Sequence, residues 1–209
     1  MDYAGLQSAV LNWAARTDAE TVAEVPNFIA FAEEMFNNGF PTAEVSPLRV
    51  REMQATATIT MTNGVGTLPA DYLQYISTKS MASTPRPLQN VTRTWTDVAY
   101  ADGSAGLSNY FSIIGDEIHV YPSSGEDVNM LYYQKIPALS VSNTSNWLLA
   151  KQPSLYLHAA LMHLGLFTKD NPLAQRSQAV VASAIDGLNQ TDTLSMFAST
   201  GTRMRMRTP

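Results

Sequence analysis

From Pro153 to Phe167 the chain reads Pro-Ser-Leu-Tyr-Leu-His-Ala-Ala-Leu-Met-His-Leu-Gly-Leu-Phe, a stretch that is apolar almost all round when wound into a helix. Such a helix has no face to offer water, so other elements of the fold must enclose it. Pro153 suits its first turn, where a missing N–H leaves no bond unmade.

Candidate partners lie on both sides of it in the sequence. Residues 2–16 place Tyr3, Leu6, Val10 and Trp13 three and four positions apart, with Asp2 as N-cap and Arg16 in the last turn, which predicts an amphipathic helix. A second helix is expected to begin at Pro26 and to carry Phe28, Ile29, Ala32, Met35 and Phe36 on one broad face. It stops at Asn38-Gly39, and Pro41 seals its end. After the apolar segment, Asn171-Pro172 supplies a cap and a first-turn proline for a long helix that turns Leu173, Val180, Ala184 and Leu188 to the core and frays past Gly187.

The period changes between these helices. Residues 54–62 alternate strictly, Ala55, Ala57, Ile59 and Met61 against Thr56, Thr58, Thr60 and Thr62, the pattern of a half-buried strand that turns at Asn63-Gly64. A further extended run is expected around Tyr75–Thr78. Tyr110–Ile114 and Glu117–Tyr121 flank Gly115-Asp116, which has the chemistry of a two-residue hairpin turn. Val128, Met130 and Tyr132 mark another strand, while residues 85–108, with Pro85, Pro87, Gly103 and Gly106, read mostly as loop with a short helix at Trp95–Tyr100. The expected class is α+β: a helical bundle from both chain ends (residues 1–53 and 146–198), an inserted small antiparallel β unit (54–145) and an extended C-terminal tail (199–209).

Chemistry-bearing residues are sparse. With 209 residues the chain can bury a real core, and with no cysteine it lacks disulfides, thiolate metal sites and thiol nucleophiles. His158 and His163 are five residues apart, about 140° around a helix, so they cannot clamp one metal. Each is expected at the edge of the core with one satisfied hydrogen bond, and His119 falls on a strand. Glu33 and Glu34 diverge as helical neighbours, and Asp116, Glu117 and Asp127 gather at a turn, so these acids are expected to be solvated. Gly103-Ser104-Ala105-Gly106 lacks nucleophile-elbow spacing, and there is no phosphate-binding loop. The expectation is a non-enzyme without metal or cofactor. No secretory signal opens the sequence and no uncharged apolar run reaches transmembrane length, so no membrane partner is expected.

Net charge is −5, but Arg203, Arg205 and Arg207 contribute +3, which leaves residues 1–202 at −8. An acidic body opposes tight binding of nucleic-acid phosphates. The segment Arg203, Met204, Arg205, Met206, Arg207 has period two, so an extended backbone shows guanidinium groups on one side and thioethers on the other. Pattern alone allows two readings: a strand added to a partner's sheet, or a solubilising basic tail.

Several stretches in a fixed order resemble the phage head-to-tail adaptor family. They are Val25–Glu33, Leu48–Met53, Leu68–Leu73, Val120-Tyr121-Pro122, Tyr132-Tyr133, Pro137–Ser140 and, most characteristic, Asn143–Leu149 followed by Pro153–Leu161. They are packing and turn signals spread over residues 20–165, and their weight lies in their joint order. The resemblance implies a structural virion protein at the neck between capsid and tail, assembled in the host cytoplasm as a dodecameric ring under the portal protein. Such a ring extends a channel through which DNA passes without sequence-specific binding, and offers a platform to tail or nozzle proteins. In similar proteins the C-terminal tail reaches into the portal, which favours docking for Arg203–Arg207. Rival readings are a stopper or tail-completion protein, a phage-encoded hydrolase with paired carboxylates, and a DNA-packaging accessory protein.

Overall fold

A computed structural model describes residues 1–40, 44–101, 103 and 105–198. The chain divides into two compact units, one made of Met1–Glu52 together with the chain from Ile136 onward, the other of Met53–Lys135.

The first unit is helical. It holds α1 (Tyr3–Ala14), α2 (Ala19–Asn38), α4 (Trp147–Lys151), α5 (Pro153–Phe167) and α6 (Asn171–Ala198). Helix α5 is the apolar segment, and α1, α2, α4 and α6 all pack against it. Leu155, Tyr156, Ala159, Ala160, Leu161 and Leu164 are buried. Each fully buried large apolar side chain contributes about 1.5–3 kcal/mol. Phe36 of α2 meets the Tyr156 ring edge-on at 5.1 Å. Where α5 turns into α6 the backbones come close: a Cβ on Gly165 would lie 2.8 Å from the Ala174 amide nitrogen. Asp170 closes that turn by accepting the Leu173 N–H at 3.1 Å, so the cap of α6 is Asp170 and not the expected Asn171, which is the first helical residue.

Three other helical expectations are corrected. Helix α2 begins at Ala19, seven residues before Pro26, because Asp18 caps it by accepting the Thr21 N–H at 3.0 Å and because Thr21 and Val25 continue the buried face. Pro26 then sits inside the helix on its exposed side. Trp13 is 63 % exposed although it shares the spacing of Leu6 and Val10; its ring meets His158 of α5 edge-on at 5.5 Å and is otherwise left largely open. The buried stripe of α6 is Ala174, Ser177, Val181 and Ile185, so Val180 is 40 % exposed; the helix runs on through Gly187 to Ala198. Pro41 lies outside the described residues.

Among its described residues the second unit holds eight strands and one α-helix: β1 (Gln54–Ile59), β2 (Val65–Thr67), β3 (Tyr72–Ser80), β4 (Arg86–Pro87), β5 (Gln89–Asn90), α3 (Arg93–Ala99), β6 (Tyr110–Ile114), β7 (Glu117–Tyr121) and β8 (Val128–Gln134). They form two sheets, ordered β1-β8-β3-β4 and β2-β7-β6-β5. Between the named strands every pairing is antiparallel except the short β5–β6 pair, and the expected small antiparallel β unit consists of two small sheets. Both sheets feed one core of Ile59, Met61, Leu88, Phe111, Ile118, Val120, Val128, Met130 and Tyr132. The alternation of β1 is as expected, with Ile59 buried and the threonines outward, but the strand stops at Ile59. Asn63 and Gly64 both take positive φ, 53° and 81°, which turns the chain directly into β2. Residues 85–108, expected mostly as loop, contain β4, β5 and α3, the last capped by Thr92 and beginning at Arg93.

The backbone of β2 passes so close to β1 that a Cβ on Gly66 would sit 2.6 Å from Ile59 Cγ2 and 2.6 Å from Met61 Sδ. Gly66→Ala is therefore expected to destabilise the β unit by about 1–3 kcal/mol in urea unfolding. Gly125→Ala, where a Cβ meets nothing within 4 Å, should stay within about 0.5 kcal/mol of the parent.

Candidate functional site

Several titratable groups of the helical unit take structural roles. Glu33, expected to be solvated, is buried with 6 % exposure, a correction with a clear local cause. It lies on the face of α2 between Ile29 and Phe36, four residues after one and three before the other, so the helix carries it into the core with them. There Oε1 accepts the Leu139 N–H at 2.8 Å and the Tyr156 hydroxyl at 3.1 Å. Asn146 completes the group: its Nδ2 donates to Tyr156 Oη at 2.7 Å and to the Pro137 carbonyl at 2.8 Å, while its Oδ1 accepts the Leu149 N–H and caps α4. Burial holds the Glu33 carboxyl above its ordinary range, against the pull of the two hydrogen bonds, and pushes the Tyr156 hydroxyl up as well, with Glu33 adding to the effect. This network straps residues 137–146 to α2 and α5.

The histidines point apart. His158 meets the edge of Trp13 at 5.5 Å, and His163 lies between Phe31 at 5.7 Å and Phe40 at 6.2 Å. In place of the expected hydrogen bond, His158 Nδ1 and His163 Nε2 are buried without a partner, and burial lowers both pKa values. Neutral imidazole packed on aromatic rings is the result. His119 on β7 pairs with Glu117 at 3.2 Å. Among the described residues no three His, Asp or Glu side chains converge as a metal site would need. Glu34 stays exposed. In the β unit, Asp127 accepts the Met61 N–H at 3.3 Å. Asp71 accepts the Tyr132 hydroxyl at 3.0 Å, and burial together with that carboxylate pushes the Tyr132 pKa up to about 12.

Two carboxylates do approach one hollow of about 230 Å³, Glu52 and Asp192, but each is engaged by a base: Glu52 by Lys151 at 2.5 Å, Asp192 by Arg51 at 2.8 Å. Neither is poised as a general acid.

What the surface offers is apolar contact. The helical unit exposes Trp13, Phe31, Leu166, Phe167 and Leu194, and a hollow of about 310 Å³ beside Phe31 and Phe40 is floored by His163. The β unit carries an aromatic group that sequence reasoning missed. Trp95 and Tyr110 are 4.9 Å apart, Tyr100 stacks on Tyr121 at 6.0 Å, and Arg93 donates to Tyr121 Oη at 2.6 Å while pairing with Asp97 at 2.7 Å. Its sequence signal was the short helix expected at Trp95–Tyr100 and the hairpin residues Tyr110 and Tyr121, which no periodicity joins to one another. The predicted docking residues Arg203, Met204, Arg205, Met206 and Arg207 lie outside the described residues; α6 is the element that leads to them. Among the described residues no helix is long and apolar enough to cross a membrane.

A family model described as SU10 adaptor protein matches residues 1–207 of the chain. No curated protein matches it.

Glu33 gives the helical unit a defined pH response. A raised folded-state pKa means that the stability contributed by this carboxyl is full below its ordinary value of 4.5 and is lost as pH rises through the folded-state value. Glu33→Gln retains an acceptor for Leu139 and Tyr156 without the charge. In denaturant melts between pH 4 and 8, the stability of the parent relative to this variant is expected to fall as pH rises.

Proposed function

The chain belongs to the SU10 adaptor protein family, a family of phage head-to-tail adaptors, and from that premise we propose that it forms a ring beneath the portal, lengthens the DNA channel and presents a platform to the tail or nozzle. The observation that carries this reading is the span of the match, residues 1–207, which takes in both units and the basic segment together. The protein then works by contact and not by catalysis. Support comes from the commitment of its acids to structural roles: Glu33 within the core, Glu52 and Asp192 in ion pairs.

The subunit is proposed to act as a dodecamer at the virion neck, assembled in the host cytoplasm. Exposed apolar side chains on the helical unit, Trp13, Phe31 and Leu166 among them, are suited to subunit–subunit burial. Weak pairwise contacts suffice when a ring template raises the effective concentration. Residues 1–202 carry −8, and an acidic wall repels phosphates, so DNA slides through the ring without adhering to it.

Residues Arg203–Arg207 are proposed to dock on the portal as an added strand, guanidinium groups on one side and Met204 and Met206 on the other. Deleting residues 199–209 is expected to leave a folded subunit that no longer joins the portal. The measurement is size-exclusion chromatography of the protein mixed with its cognate portal, with negative-stain images of the product. Parent-like binding by the truncated chain defeats the docking role, and rings formed with tail protein but not with portal move the assignment to a stopper or tail-completion protein.

A further inference from the structure

The way α6 is held changes partway along it. Its first half is fastened by apolar burial, with Ala174, Val181 and Ile185 against α5. At helical pitch the same stripe continues as Asn189 and Asp192, with Ser195 at its edge, and so becomes polar. Asn189 uses its side-chain amide twice: Oδ1 accepts the Arg49 N–H at 2.8 Å and Nδ2 donates to the Pro47 carbonyl at 3.0 Å. One turn on, Asp192 pairs with Arg51 Nε at 2.8 Å, and Arg51 also donates to Ser195 Oγ. The segment that receives these bonds is anchored to α2, through Leu48 N–H to the Phe36 carbonyl at 2.8 Å and Arg49 Nη1 to the Asn37 carbonyl at 2.9 Å.

Gly187 marks the junction. A Cβ there would meet nothing within 4 Å, so packing does not call for glycine, while a glycine inside a helix weakens it relative to alanine. Beyond it Leu194 is 71 % exposed.

We infer that residues 189–198 form a latch, hinged near Gly187 and clipped to residues 47–51 by Asn189, Asp192 and Arg51, which opens while the rest of the helical unit stays folded. The physical basis is an asymmetry in what water can replace. Exposing Val181 and Ile185 forfeits hydrophobic burial, whereas the released amide, carboxylate and guanidinium regain hydrogen bonds from solvent. Segments held in this way open at a lower free energy than the core they adjoin. The use of the latch rests on the portal-docking reading: α6 runs into the docking segment, so opening lets the last helical turns follow residues 203–207 to their site.

Hydrogen exchange of the full chain, followed by mass spectrometry, tests the latch without any partner. In Asn189→Ala/Asp192→Ala, amides of 189–198 should exchange at least about tenfold faster while those of α5 keep their protection. Gly187→Ala, which removes no contact, should slow exchange in 189–198 by about fourfold. Two results overturn the inference: exchange in 189–198 that neither variant changes, or α5 and the end of α6 losing protection together in the double variant. Portal binding, measured separately with the 199–209 deletion, tests the docking reading. If the deletion still binds while the exchange results stand, docking fails and the latch does not.

Discussion

Enclosure of α5 is the constraint on which the helical unit depends. A fifteen-residue helix with Leu155, Tyr156, Ala159, Leu161 and Leu164 buried needs neighbours on every side, and it finds them in α1 and α2 from before the β unit and in α4 and α6 from after it. The chain must leave the helical unit after Glu52 and return at Ile136, so residues 53–135 are under pressure to close on themselves. They do so by giving two four-stranded sheets a single core, which spares that unit the need to borrow apolar surface.

The Glu33–Tyr156–Asn146 group works in a different way. Burying a carboxylate is unfavourable, and well-packed apolar residues of similar volume often hold a core as well, so stability is a poor explanation for it. What the group supplies is position. One oxygen of Glu33 receives a backbone amide from residue 139 and a hydroxyl from α5, and Asn146 ties the same hydroxyl to the carbonyl of Pro137 and to the start of α4. A segment without regular structure is thereby given one path across the helical core. The histidines of α5 carry no comparable network; they are neutral rings packed on Trp13, Phe31 and Phe40.

The exposed apolar side chains of the helical unit sit at places where a single chain gains nothing by showing them. Trp13 lies in the last turn of α1, and Leu166 and Phe167 stand at the end of α5. The clip on α6 adds a second kind of surface, one whose polar bonds exchange readily with water.

Periodicity is a property of local backbone geometry, so the sequence by itself determined the buried helix over 153–167, the alternating strand from Gln54 and the hairpin around Gly115. It also contained a signal that went unread: Glu33 shares the helical face of Ile29 and Phe36. Other features depend on partners distant in the chain. Whether Trp13 or Val180 is covered depends on how far a neighbouring helix extends, and a one-residue rotation of α6 moves the buried stripe to Ala174, Val181 and Ile185 without disturbing its spacing. Pairing of Gln89–Asn90 with Tyr110–Phe111, and of Asn189 with Pro47 and Arg49, joins residues with little pattern of their own. Only the tertiary structure decided those, because a hydrogen bond or an apolar contact between segments far apart in sequence leaves no period in either one.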